Sequence, residues 1–130
     1  MPPIDRYPMP TILIVDDDDA IRGILYDALS DKYECNTASM AEEALQYIEV
    51  EKYDAILTDI AMPGLTGLEL LKRVQANQSA TPVILISGKG TEHDPEALIA
   101  LGAFAYVTKP FNLDEIEEVV ERAIAQTRSE

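Results

Sequence analysis

Short apolar runs alternate with helix-period segments five times along this chain, and the runs stop on polar or charged residues. That alternation constrains the fold more than any other feature. Strands separated by helical crossovers lie parallel in one sheet, with the crossovers covering its faces. The runs are Thr11 to Val15, Tyr33 to Ala38, Ala55 to Leu57 leading to Asp59, Pro82 to Ile86, and Phe104 to Val107. Helical spacing follows each of them, from Ile21, Ile24, Leu25 and Leu29 at the start to Ile116, Val119, Val120, Ala123 and Ile124 at the end. The expected architecture is α/β: a doubly wound, five-stranded parallel sheet with helices on both faces.

Local signals set the expected boundaries. Residues 1 to 10 hold Pro2, Pro3, Pro8 and Pro10 without periodicity and read as an N-terminal arm, leaving 11 to 130 as the folded domain. Asp18 or Asp19 can cap the first helix, and Gly23 inside it costs roughly 1 kcal/mol against alanine. Met62-Pro63-Gly64 turns the chain after Asp59. A proline in a helix interior costs roughly 3 kcal/mol, so the fourth helix is expected to start late. Asp94 would be its N-cap, Pro95 its first residue and Leu101 its end, with Gly88 to His93 left as a long loop.

The formal net charge of -14 argues against direct nucleic-acid binding, because phosphate neutralisation needs clustered Lys and Arg and the ten basic residues are scattered. No apolar run approaches the roughly 20 residues of a membrane span. Cys35 is the only cysteine, which excludes an internal disulfide or a cysteine metal cluster; it reads as a small apolar strand residue in a protein of the cytoplasm.

In a parallel sheet the carboxyl ends of the strands share one edge, where open α/β folds bind ligands. Here that edge collects Asp16, Asp17, Asp59, Ser87 and Lys109. Singly, a strand-end aspartate caps a turn and a lysine is a surface residue; together at successive strand ends they form a constellation. At about 4 Å and an effective dielectric near 20, each like-charged pair costs roughly 4 kcal/mol. One lysine cannot neutralise three acids, and an all-oxygen site with room for water or phosphate suits Mg²⁺. An EF-hand is excluded because positions six and twelve counted from Asp16 are Ile21 and Asp27, not glycine and glutamate. A carboxylate beside Mg²⁺, a lysine and a hydroxyl is equipped for phosphoryl transfer, with the carboxylate as nucleophile.

With these residues in view, the chain resembles the receiver domain of two-component response regulators over about residues 11 to 126. ILIVDDDD carries that family's acidic pair; Asp59, Met62, Pro63 and Gly67 fit its D-x-x-M-P-x-x-x-G pattern; Ser87 stands at its Ser/Thr position; and Lys109-Pro110-Phe111 matches K-P-F. The resemblance implies a flavodoxin-like strand order of 2-1-3-4-5. It implies Asp59 as phosphoacceptor and Mg²⁺ held by Asp17, Asp59 and the Ala61 backbone carbonyl, with Asp16 acting through water. It further implies Lys109 on the phosphoryl group through a segment with a cis bond to Pro110. Ser87 and Tyr106 are the implied switch residues, altering the face of helix 4, strand 5 and helix 5. Ala61 and Lys89 occupy the positions that tune phosphate lifetime.

The implied partners are a sensor histidine kinase or histidine phosphotransfer protein as donor, and a downstream protein or output domain as receiver of the signal. A phosphorylation-dependent homodimer on the helix 4 face would be weakened by a shortened helix. The chain stops just past the last helix, so it reads as a stand-alone receiver or one cut from a longer regulator. His93 lies in a polar loop and is no phosphohistidine candidate. Two rivals use similar residues. A haloacid-dehalogenase-type phosphohydrolase is half met by Asp16 to Asp19 but has Ala20 where its motif needs Thr or Val. A pseudo-receiver takes no phosphate and usually lacks part of the pocket that is complete here.

Overall fold

A computed structural model describes residues 9–77, 80–88 and 94–128. Residues 1–8 of the expected N-terminal arm, and residues 89–93 of the expected loop, with Lys89 and His93, lie outside the described residues. Five strands and five helices alternate: β1 (Thr11–Val15), α1 (Asp19–Leu29), β2 (Glu34–Ala38), α2 (Ala41–Val50), β3 (Ala55–Asp59), α3 (Gly67–Asn77), β4 (Val83–Ser87), α4 (Pro95–Ala100), β5 (Ala105–Thr108) and α5 (Leu113–Arg128). All strand pairs are parallel, in the order β2-β1-β3-β4-β5. Among the described residues no helix is long and apolar enough to cross a membrane.

The strands alternate their side chains between two cores. Leu13, Val15, Ile56, Val83 and Leu85 point to one face and pack with Ala44 and Ile48 of α2 and Leu70, Leu71 and Val74 of α3. Ile12, Ile14, Leu57, Ile84 and Ile86 point to the other and meet Leu25 and Leu29 of α1 and Ile116, Val120 and Ala123 of α5. β3 and β4 are buried along their whole length, which is why they read as continuous apolar runs.

Strand boundaries move by a residue from the sequence expectation. β2 begins at Glu34, because the Tyr33 ring is already buried with α1 and α5. β4 begins at Val83: Pro82 has no N–H for the ladder, although its carbonyl accepts from Ile56. β5 runs to Thr108, where the N–H of Lys109 continues the ladder to the Ser87 carbonyl. Asp18 is the cap of α1, accepting from the N–H groups of Ala20 and Ile21. α4 starts late as expected, with the Asp94 carboxylate accepting from Glu96 N–H and Pro95 in the first turn; Leu101 is its C-cap. The Gln75 side chain of α3 donates to the Leu101 carbonyl at 3.1 Å, closing that cap from a second helix.

At the amino end of β3, the Asp54 carboxylate accepts from the Thr11 N–H at 2.9 Å and pairs with Arg128 at 3.3 Å. The Asp54 carbonyl accepts from the Thr127 hydroxyl at 2.9 Å. At the carboxyl end, Thr66 and Glu69 form a reciprocal capping box on α3. Gly67 then passes so close to β3 that a Cβ there would lie 2.2 Å from the Asp59 carbonyl oxygen and 2.8 Å from Ile60 Cα. A Cβ on exposed Gly23 would meet nothing within 4 Å. The two glycines therefore predict opposite outcomes in urea denaturation. Gly23→Ala should stabilise by about 1 kcal/mol. Gly67→Ala should destabilise by about 2 kcal/mol or more, since backbone must move; equal effects would contradict this packing.

Candidate functional site

The carboxyl edge of the sheet is also its charged end. Asp59 is the last residue of β3 and Asp16 the first beyond β1; both are buried, whereas Asp17 is exposed. One carboxylate oxygen from each of the three lies within 4.8 Å of the others. Lys109, one residue past β5, reaches into the cluster: its Nζ donates to Asp59 Oδ2 at 3.2 Å and lies 3.3 Å from Asp16 Oδ2. Asp16 Oδ2 is buried and accepts no hydrogen bond, so charge alone pairs it with the lysine. Its other oxygen accepts from Asp18 N–H at 2.9 Å. Asp59 Oδ1 accepts from Ala61 N–H at 3.3 Å.

Ser87 ends β4 in a buried position, held beside Lys109 by the 2.7 Å bond from the lysine N–H to its carbonyl. Tyr106 sits on β5 opposite Leu85 with its side chain exposed. The Lys109-Pro110 bond is cis, as expected. The sequence-expected residues thus assemble at one edge, except Lys89, outside the described residues, and Tyr106, which faces solvent. Cys35 is only partly buried on β2; burial pushes its thiol up to about 11.

Electrostatics follow from the crowding. Desolvation raises the Asp16 carboxyl above the ordinary carboxylate range, against the Asp18 N–H and Lys109. Desolvation also raises Asp59, and Asp16 adds to it, against Lys109. Burial works to lower Lys109, but the charges of Asp16 and Asp59 outweigh it and leave the ammonium raised. Two buried carboxylates sharing one cation keep an excess negative charge. With the bare Asp16 oxygen and the exposed Asp17 beside them, this all-oxygen donor set fits a hard divalent cation such as Mg²⁺.

One residue escaped sequence reasoning. The Arg22 guanidinium on α1 donates through Nη1 to the Asp16 carbonyl at 2.8 Å and through Nη2 to the Asp19 carboxylate. The Asp19–Arg22 spacing of three residues is a visible helix pair. The backbone acceptor leaves no trace in the sequence.

The response regulator receiver domain family model matches residues 12–121. The chain belongs to the response regulator receiver family. The regulatory protein AtoC of Escherichia coli (strain K12) is 37% identical over 114 residues, covering 87% of this chain and 25% of AtoC. A crystal structure of NtrX from Brucella abortus superposes with a TM-score of 0.86 at 34% identity, covering 92% of this chain and 28% of that one. A receiver domain protein from Clostridium thermocellum gives 0.86 at 28% identity, covering 92% and 98%. The receiver spans about a quarter of the length of AtoC and of the NtrX chain. These relatives are regulators, and the match runs along nearly the whole chain, which leaves the phosphohydrolase reading without support.

The raised carboxyl groups fix the sign of a pH effect. An unfolded Asp titrates near about 3.9. The folded receiver holds extra protons on Asp16 and Asp59 between that value and their higher folded ones. Their contribution to stability therefore falls as pH rises through this window, whereas that of Lys109 is complete below about 10.4 and lost above its raised folded value. In metal-free buffer, Asp59→Asn should raise the urea midpoint at pH 7. The gain should vanish below about pH 4, where wild-type Asp59 is itself neutral; a midpoint unmoved at pH 7 would contradict the crowding.

Proposed function

We propose that this receiver accepts a phosphoryl group on Asp59 in a Mg²⁺-dependent transfer from a phosphohistidine of a sensor histidine kinase or histidine phosphotransfer protein. The observation that carries the reading is the cluster of Asp16, Asp17 and Asp59 with Lys109 between the two buried members. An Asp59 carboxylate oxygen attacks phosphorus, and the P–N bond of the donor breaks. The electron pair stays on the imidazole nitrogen, which takes a proton from solvent. Lys109, already 3.2 Å from the nucleophilic carboxylate, turns its charge to the phosphoryl oxygens, and the Ser87 hydroxyl donates to one of them.

Asp17, Asp59 and the Ala61 carbonyl would hold Mg²⁺ directly, with Asp16 through a water. Bound there, the ion supplies further neutralisation of the transferring group. The receiver then catalyses only its own phosphorylation and dephosphorylation. Ala61 is too small to position an attacking water, and the positive charge of Lys89 would favour a retained phosphate, so its loss should be slow.

Two surfaces support the partner assignments. An apolar groove lined by Ile21, Ile24, Pro110, Phe111 and Leu113 opens beside Lys109 and offers a surface on which a donor helix would dock. On the α4 and β5 side, Ile99, Leu101 and Tyr106 are exposed. Inward rotation of Tyr106 behind a displaced Ser87 would change that face for a downstream protein, an output domain or a second receiver.

Incubation with Mg²⁺ and a small acyl phosphate should add one phosphate by intact mass, and Asp59→Asn should abolish it. Full stoichiometry in that variant would sink the assignment. Asp17→Ala should weaken Mg²⁺ more than Asp16→Ala in calorimetric titration, because a direct ligand is lost rather than a water-bridged one. Equal affinities would remove Asp17 from the ligand set.

A further inference from the structure

The β1–α1 loop supplies two of the three clustered carboxylates, and its hydrogen bonds close on both sides of Asp17. Upstream, the Asp16 carbonyl accepts from Arg22 Nη1 at 2.8 Å, and the Asp16 N–H donates to the Ala38 carbonyl at 3.1 Å. Downstream, the Asp18 N–H is held by Asp16 Oδ1, and the Asp18 carbonyl accepts from the Arg22 N–H at 3.0 Å. Asp17 is exposed, and among the described residues its side chain makes no hydrogen bond. With no side-chain partner to hold it, the region its carboxylate can reach is bounded by the backbone that carries it.

We propose that Arg22 is a positioning residue for the cation site: its guanidinium fork fixes the backbone at Asp16 and so sets where the Asp17 carboxylate stands. The side chain is well placed for this, with only 21% of its surface exposed and Asp19 anchoring the second arm of the fork. A rigid planar fork serves two acceptors at once, which a lysine ammonium on a flexible stem does less well. Arg22 also brings a positive charge close to the loop. Were charge its whole role, it would repel a divalent cation, and its removal would tighten binding. Positioning demands the opposite sign. The inference rests on the receiver reading for the identity of the ion, and on the hydrogen bonds alone for the shape of the loop.

The test uses Arg22→Met, which keeps the apolar stem, and Arg22→Lys, which keeps the charge. Calorimetric titration with Mg²⁺ should show affinity weakened about tenfold in both, the lower end of what removing the groups behind metal ligands costs. In the Asp17→Ala background, Arg22→Met should cause little further loss. Amide exchange at Asp16 and Asp18, whose N–H groups are held in this loop, should speed up in the metal-free Arg22→Met protein while core amides stay protected. Unchanged or tighter Mg²⁺ binding, wild-type affinity in Arg22→Lys, an undiminished loss without Asp17, or unchanged loop exchange would each overturn the proposal. Wild-type protein that takes no phosphate would instead sink the functional reading, and the exchange measurement would still judge the clamp.

Discussion

The pairing of Lys109 with two buried carboxylates is the constraint on which the rest of the receiver turns. A parallel sheet delivers its strand ends to one edge, so an acid after β1 and another at the end of β3 become neighbours whether or not their charges favour it. Burial makes both reluctant to ionise, and the one ammonium between them cannot satisfy both. Replacing such a cluster with apolar residues is often stabilising elsewhere. Here the unrelieved charge is what makes the edge a fitting site for a hard cation, and it underlies the phosphoacceptor reading proposed above.

The scaffold keeps that edge from relaxing. Gly67 brings the first turn of α3 against the Asp59 carbonyl, and the Thr66–Glu69 box fixes the angle at which that helix leaves. Gln75, two turns along the same helix, closes the end of α4. A displacement of the Asp59 backbone would thus press on a helix that touches the Leu101 cap. Such a route would be mechanical and short, running through one helix.

Strands, helix faces and strand-end residues were legible in the sequence because burial on two faces leaves long apolar runs, as in Ala55–Leu57 and Val83–Ile86. The late start of α4 was legible too, since Pro95 has no N–H to give and Asp94 is a good cap. One-residue errors at β2, β4 and β5 came from strand ends, where Tyr33, Pro82 and Phe104 look apolar but stand one residue before the strands begin, Phe104 still donating its N–H to the Val83 carbonyl. The acids and the lysine could be named from strand ends, but not their exposure. Nothing in the string Asp16 to Asp19 tells which carboxylate is buried, and only the register of β1 on β3 does. The Arg22 contact was out of reach because its acceptor is a carbonyl, which every residue possesses.

Asp54 and Asp59 stand at opposite ends of one strand. Thr11 and Arg128 both bond the same Asp54 side chain, so the two extremities of the folded unit meet at a single point. A short linker could join them, and new termini could then be opened in a surface loop; the fold is a candidate for circular permutation. The same closeness separates tether from chemistry. At about 3.3 Å of rise per residue, a flexible segment continuing from either extremity departs roughly 17 Å from the Asp59 carboxylate. On the proposed function, a change at Asp59 would reach a partner through the helices and their exposed faces rather than along the covalent chain.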